Sequence, residues 1–245
     1  MRQVYPVTEG SASVSDAELA SLYAFPPGSA WLRVNMVSSA DGAATVSGRS
    51  AGLSSDGDRR IFLLLRGLAD VVLAGAGTAR DENYKPARPH SSWGDVRAGR
   101  TATPPVALVS GRLDLDPAAP LFTEAPSDAR TLVITSESSP SEARKALSKV
   151  ADVIVAGESS VDLAAGLAGL RSRGLSKVSC EGGPHLLGDL GAAGLLDELC
   201  LTVSPLLAGP GAPRIMAGAP WSGPRRMTPA HVLEEDGFLF CRYTA

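Results

Sequence analysis

The stretch KVSCEGGPHLLGDL, residues 177–190, carries the reading of the whole chain. Residues 177–181 suit a short buried strand, and residues 184–193 suit a helix. Between them stand Gly182 and Gly183, which let the backbone approach a ligand closely and adopt positive φ. Pro184 fits the first helical position, where no backbone donor is lost. The N–H groups of Gly183, His185, Leu186 and Leu187 then gather at the positive end of a helix, a geometry suited to a diphosphate. A tight strand-to-helix turn with no ligand is the other local reading.

Working outward, the same alternation repeats. Residues 31–37, 70–77, 106–110, 131–135, 152–156, 198–205 and 237–243 read as strands, and 56–69, 140–149 and 161–173 as helices, with Asp56 as cap of the first. Strands alternating with helices of this length predict an α/β fold with a mostly parallel central sheet flanked by helices. The last two strands have no helix between them, which predicts an antiparallel C-terminal edge. Residues 1–30 read as an arm with one helix from Ser15 to Tyr23, where Ser15 and Glu18 form a capping box. Residues 31–245 read as a single domain with no internal repeat. Two loops stand out, 84–104 and roughly 207–230, the first longer than a compact domain needs without a reason.

Composition excludes several classes. The 245 residues are 44% hydrophobic and 20% charged, with a formal net charge of −3; no broad basic field exists to hold nucleic acid. Neither a signal-peptide core nor an apolar run of membrane-spanning length is present, so a cytoplasmic protein is expected. Cys180, Cys200 and Cys241 lie in or beside apolar runs at long spacings, the pattern of buried structural thiols. The histidines are His90, His185 and His231, and no H-x-E with P-C-x-x-C appears. No zinc site of the deaminase type is therefore expected.

A second Gly-rich turn, Gly75-Ala76-Gly77-Thr78, also follows a strand. It is not a Rossmann fingerprint, because Arg80 stands where the third glycine belongs. Asp41-Gly42 by itself reads as a simple turn. Arg66 lies among Leu63, Leu64, Leu65 and Leu68, so its stem should pack on apolar surface with its head at a cleft edge. Arg59 and Arg60 read as solvated, and Trp31, Trp93 and Trp221 as packing residues.

The motifs NMVSSADG (35–42), SGRSAGLSS (47–55), LLRGLADVVLAGAGTAR (64–80), EGGPHLLGDL (181–190) and GLLDELCLTVSPLLAG (194–209) occur in an order that resembles the riboflavin-biosynthesis pyrimidine reductase family. This is the reductase half of the bifunctional deaminase–reductase, with a dihydrofolate-reductase-like three-layer fold; the arm resembles stand-alone actinobacterial members. The resemblance implies NADPH as cofactor. It implies substrate contacts at Ser50, Arg66, Glu181 and Asn35, with Arg66 on the ribose phosphate. It implies cofactor contacts at Val37, Gly52, Thr78, Glu82 and the run Gly182, Gly183, Pro184, His185, Leu186, Leu187, Gly188 and Asp189. It implies further cofactor contacts at Ser110 and Arg112, since in this fold class a basic residue after the strand 106–110 can meet the adenosine 2′-phosphate; a plain turn at Ser110-Gly111-Arg112 is the other reading. Asp41 is a candidate proton source, with water as the alternative.

Three departures surround the substrate pocket. Gly52 replaces an aromatic residue, Asn35 a frequent lysine, and Asp81-Glu82-Asn83 an Asp-Asp-Pro or Asp-Asn-Pro. The reaction implied is hydride transfer from NADPH to 5-amino-6-(5-phosphoribosylamino)uracil. Reduction of dihydrofolate or another pteridine, and nucleotide binding without turnover, stand as alternatives. A homodimer is expected, on the family's habit and on the apolar closing strand GFLFCRY, which needs cover.

Overall fold

Strand β2 (Trp31–Ser39) lies at the centre of the sheet, between β7 (Lys177–Cys180) and β8 (Glu198–Ser204), and runs parallel to both. On the far side of β7 follow β3 (Val71–Gly75), β4 (Val106–Val109), β5 (Leu132–Thr135) and β6 (Asp152–Val155), each parallel to its neighbour. Beyond β8 the pairing turns antiparallel through β10 (Phe238–Thr244), β9 (Thr228–Glu235) and β1 (Arg2–Tyr5). The result is one ten-stranded mixed sheet. This is a computed structural model, and it describes residues 1–7, 13–91 and 96–245; Trp93, expected to pack, lies outside the described residues.

The chain moves outward from β3 to β6 and then returns to insert β7 between β2 and β3. That reversal opens a crevice at the carboxyl ends of β3 and β7, the place where open α/β sheets take ligands. Helices α6 (Leu163–Arg171) and α7 (Pro184–Ala192) close over a core of Leu73, Ile134, Leu170, Leu186, Leu187 and Leu190. In α6, glycines let the helix sit close on the sheet. A β-carbon at Gly166 would stand 2.7 Å from Ile134 Cγ2, and one at Gly169 2.7 Å from Ile154 Cγ2. A second core holds Val72, Leu108, Val133, Leu121, Phe122 and Leu147, under the short helix α4 (Pro120–Thr123) and α5 (Ser141–Leu147). A third joins α1 (Asp16–Leu22) and α2 (Asp56–Leu68) to the antiparallel strands through Leu19, Tyr23, Ile61, Leu65, Leu233 and Phe240.

The capping box at Ser15 and Glu18 is present as expected. The cap of α2 is not Asp56 but Ser55, whose hydroxyl accepts from the Asp58 N–H at 3.1 Å. Asp56 is the first helical residue, where its charge still favours the helix dipole. Two strands differ from expectation. β1 lies within the arm, and β9 begins inside the expected 207–230 loop. β9 therefore covers β10, so the closing strand is interior and the sheet ends at β1. The need to cover GFLFCRY, one ground for a homodimer, is met within the chain. No helix among the described residues is long and apolar enough to cross a membrane.

The loop after residue 84 also has its reason. Helix α2 ends with free carbonyls, and the loop returns two arginines to them. Arg97 donates to Gly67 O at 3.1 Å and Ala69 O at 2.7 Å; Arg100 donates to Leu68 O at 2.8 Å and Gly67 O at 3.1 Å. Cations at a helix C-terminus also suit the dipole. Elsewhere a buried cluster ties the arm to the sheet. Glu198 accepts from Arg33 Nε at 2.6 Å, Arg242 Nε at 2.8 Å and Trp31 Nε1 at 2.8 Å, while Arg33 and Arg242 also donate to Tyr23 O and Leu22 O.

Candidate active site

The two Gly-rich turns touch. Gly75 N–H donates to Gly182 O at 2.9 Å, and a β-carbon at Gly183 would overlap the Thr78 hydroxyl. Gly182 has φ +96°, which favours glycine, and the Gly182–Gly183 peptide is cis. Helix α7 starts at Gly183, with no side chain capping it and Pro184 at its first position. The N–H of Leu187 is not free as expected: it bonds Gly183 O at 3.0 Å. The N–H groups of His185 and Leu186 precede that first helical bond and stand at the positive end of the helix.

Helix α3 (Ala76–Asp81) starts the same way, with Gly75 as an uncapped N-terminus. The first start, Gly75 and Ala76, lines a cleft of about 630 Å³, whose wall also includes Gly77, Arg80, Ser110, Arg112 and, from α7, Leu186 and Asp189. A β-carbon at Gly77 or Gly111, both on this wall, would meet nothing within 4 Å and would project into open space. The 110–113 turn is tied down. Ser110 Oγ accepts from Leu113 N–H at 3.0 Å, Ser110 N–H donates to Ile134 O at 2.9 Å, and Leu113 is buried. Gly111 and Arg112 form its exposed tip. The sequence reading missed Ser160 and Val161, which also line the cleft after β6. Their signal was available: Gly157-Glu158-Ser159-Ser160 is a third strand-to-helix turn, and Gly157 has φ +91°.

A second group lies where β7 ends. Arg66 grips Glu181 with two parallel bonds, Nε to Oε1 at 2.6 Å and Nη2 to Oε2 at 2.7 Å. Tyr84 OH donates to Glu181 Oε2 at 2.9 Å. The Arg66 guanidinium lies over the Phe62 ring at 4.4 Å, and only 4% of the Glu181 side chain is exposed. Burial pulls the Arg66 pKa down, but the charge and hydrogen bonds of Glu181 more than offset it, and the net shift is upward. Burial, then the Glu181 charge, pushes the Tyr84 hydroxyl well above its ordinary value. The anion that the apolar setting of Arg66 demanded is thus Glu181. Arg66 Nη1 is outside both bonds and remains an edge for a further acceptor. Tyr84 was not foreseen, since it sits in a Pro- and Arg-rich loop with no local motif.

Ser50 Oγ donates to Glu82 Oε1 at 3.3 Å, which brings two of the expected residues together. Asn35 and Val37 are half-buried on β2, flanking Met36, whose sulfur would be 3.2 Å from a β-carbon at Gly182. Gly52 lies against Val46; a β-carbon there would stand 3.2 Å from Val46 Cβ. Asp41 acts as a bolt. It accepts from the Ser39 hydroxyl, from Ala208 N–H at 3.1 Å and from Gly209 N–H at 2.8 Å. The Ser39 hydroxyl first, then the two amides, lower its pKa. A carboxylate held in that form accepts hydrogen bonds and is a poor proton donor at neutral pH. The segment carrying Ala208 continues over α7: Ala217 N–H donates to Pro184 O at 3.0 Å, and Trp221 Nε1 to Gly188 O at 3.2 Å. Trp221 therefore packs, as expected, against the bare face of Gly191, while Ala217 covers that of Gly188, and Trp31 is a hydrogen-bonding partner of Glu198.

Comparison with known proteins agrees with this architecture. A pyrimidine reductase-like protein from Corynebacterium diphtheriae superposes with a TM-score of 0.82 at 31% identity, over 92% of this chain and 97% of that one. The 2,5-diamino-6-ribosylamino-4(3H)-pyrimidinone 5′-phosphate reductase of Archaeoglobus fulgidus is 30% identical over 179 residues, 72% of this chain and 80% of the relative. RibD of Acinetobacter baumannii, at 20% identity, shares the fold with a TM-score of 0.70 over 89% of this chain and 58% of that one. The fold is the dihydrofolate-reductase-like fold of such reductase domains. Residues 30–236 match the family model described as the RibD C-terminal domain, and the chain belongs to that family.

Proposed function

We propose that this chain is an NADPH-dependent reductase of riboflavin biosynthesis, acting on a ribosylaminopyrimidine 5′-phosphate. The observation that carries the reading is the cleft lined by the uncapped Gly75 helix start and by Leu186 and Asp189 of α7, whose own uncapped start follows the Gly182 turn bonded to Gly75 and the buried Arg66–Glu181 pair. The residues fit a dinucleotide. Glycines 77 and 111 leave a cradle that a β-carbon would fill, and the α7 N-terminus offers N–H donors where a diphosphate needs them. Arg112, at the tip of a fixed turn, would bond the 2′-phosphate, with Ser110 holding that turn.

When bound, the dihydronicotinamide supplies a hydride. The chain's own contribution is placement: aligned reactants account for much of the rate in a reaction of this kind. Glu181 fixes Arg66, whose Nη1 edge would meet the substrate phosphate, and Tyr84 fixes Glu181. Ser50 and Asn35 would border the substrate, and their neighbours Glu82 and Val37 would border the cofactor. That hydride would go to the sugar carbon bonded to the exocyclic nitrogen, the bond from that carbon to the ring oxygen would open, and the oxygen would take a proton. Water supplies that proton, because Asp41 is held as an anion by Ser39, Ala208 and Gly209.

The substrate read from the sequence is 5-amino-6-(5-phosphoribosylamino)uracil; that of the archaeal relatives, by their names, is a 2-amino pyrimidinone. The two differ at one ring substituent, away from the reacting sugar. The test is initial rates of NADPH and NADH oxidation with each pyrimidine. The reading requires turnover with at least one, faster with NADPH; no turnover with either overturns it. A homodimer belongs to the same reading on new ground. Leu207 is 81% exposed and Leu206 45%, an apolar step beside the Asp41 bolt that a second copy would cover. A monomer mass in light scattering at micromolar concentration refutes that part.

A further inference from the structure

Arg80 occupies the position that denied the Gly75 turn a Rossmann pattern, and nothing above gives it a role. It lies on the last turn of α3 and lines the same cleft as Arg112. Its Nη1 donates to the Asp114 backbone carbonyl at 2.7 Å and stands 3.7 Å from the Asp114 carboxylate. Among the described residues its Nε and Nη2 make no hydrogen bond. The Arg80 side chain is 45% exposed and that of Asp114 78%. An ion pair that open is weak, whereas a guanidinium on a phosphate is among the stronger charge-assisted contacts; Nε and Nη2 could take one while Nη1 stays at Asp114.

The geometry around this pair is fixed. Leu113 is buried, Ser110 Oγ holds its N–H, and Leu115 N–H bonds Leu113 O at 2.8 Å. Arg112 and Asp114 therefore flank one buried, hydrogen-bonded residue. The backbone bond to Asp114 O ties the Arg80 head to the turn that carries Arg112. Arg80 and Arg112 line the cleft with two carboxylates, Asp114, which Arg80 approaches to 3.7 Å, and Asp189 on α7. An unscreened acid there would accept from a ribose diol and repel a phosphate; a screened one, with two arginines beside it, does the reverse.

We propose that Arg80 is a second specificity-determining residue, which together with Arg112 clasps the 2′-phosphate of the nucleotide and neutralises Asp114. This rests on the reading that the cleft holds the cofactor. The probes are adenosine 2′,5′-bisphosphate and 5′-AMP, which differ only in the 2′-phosphate, titrated calorimetrically into the full chain. Wild type should prefer the bisphosphate. Arg80→Ala should reduce that preference by about tenfold, the share of one partly exposed charged hydrogen bond, and leave 5′-AMP binding unchanged. Arg80→Lys should retain part of it, and Asp114→Asn should bind the bisphosphate at least as tightly as wild type. If wild type shows the preference and Arg80→Ala keeps it whole, Arg80 is no reader and the cofactor reading stands. If Arg80→Ala does not fold, a weaker bisphosphate affinity in Asp114→Asn, with Arg80→Lys unchanged from wild type, overturns the proposal equally. If wild type binds neither probe, or both alike, the cofactor reading fails and the proposal with it.

Discussion

Arg66 and Glu181, 115 positions apart in sequence, meet through two parallel hydrogen bonds of 2.6 and 2.7 Å at the point where β7 runs into the Gly182-Gly183 turn. The pair joins helix α2 to the residue before the candidate diphosphate site. It also holds the 82–84 segment through Tyr84 OH. The proposed substrate side and the proposed cofactor side are thus linked by one buried carboxylate.

Removing one partner of that pair leaves the other uncompensated. Arg66→Ala should therefore cost about 3–5 kcal/mol of folding stability, as for other broken buried pairs. A raised KM in that variant would mix unfolding with lost phosphate binding. Arg66→Lys keeps the charge but not the fork, and should fold more stably than Arg66→Ala while raising the substrate KM. Denaturant melts checked against kinetics separate the two effects. An Arg66→Ala protein as stable as wild type contradicts the structural role.

Gly183 and Thr78 set up a second test. Gly183→Ala should destabilise the turn because its β-carbon overlaps the Thr78 hydroxyl. The double variant Gly183→Ala/Thr78→Ala removes the overlapping oxygen and should recover most of the stability. Any loss of nucleotide affinity remaining in the double variant reports on access to the diphosphate site. Gly77→Ala, with nothing within 4 Å of its new carbon, should fold normally yet weaken the same binding. Calorimetric affinities unchanged in both proteins would place the diphosphate elsewhere.

Arg112→Ala should lower affinity for NADPH and spare NADH. A charged hydrogen bond of about 1.5–3 kcal/mol sets the upper bound, and the exposed tip of the 110–113 turn points to its lower half. Equal losses for both nucleotides would remove Arg112 from 2′-phosphate recognition.

His231 gives the fold a pH dependence. It is buried, its Nε2 has no hydrogen-bond partner among the described residues, and Tyr23 meets it edge-on at 4.7 Å. Burial, then the charge of Arg242, lowers its pKa from 6.5 to about 4. The folded value lies below the unfolded one, so the unfolded chain takes the proton first. Stability is full above pH 6.5 and falls as pH drops toward about 4, by about 3 kcal/mol from this group. Glu198, its pKa lowered by Arg33 and Arg242 against the opposing effect of burial, adds a loss at still lower pH. A His231→Phe variant should flatten the pH 6.5–4 portion of the stability profile. A profile identical to wild type contradicts the assignment.

The parallel half of the sheet was legible because β3 to β7 each pair a short apolar run with a glycine, proline or serine turn. The capping box at Ser15 was legible because it is local. β9 was hidden by Pro229 and by His231, a polar residue at an inward position. β1 was hidden because Arg2–Tyr5 has only its pairing to β9 to define it. Ser55 and Asp56 are both good caps, and only the backbone shows which residue stands outside the helix. The same division runs through the site. The Gly75 and Gly183 turns announce themselves, since local backbone demands select glycine. Arg66–Glu181–Tyr84 and the arginines that finish α2 depend on contacts across the fold, and no spacing in the sequence marks them.

The central claim is that this chain delivers hydride to the sugar carbon of a ribosylaminopyrimidine 5′-phosphate. Incubation with NADPH deuterated at nicotinamide C4 and each pyrimidine, followed by mass spectrometry of the product, tests it directly. The account predicts a ribitylamino product carrying deuterium on the carbon bonded to the exocyclic nitrogen. NADPH oxidation seen only with dihydrofolate, or a pyrimidine product without deuterium at that carbon, would contradict it.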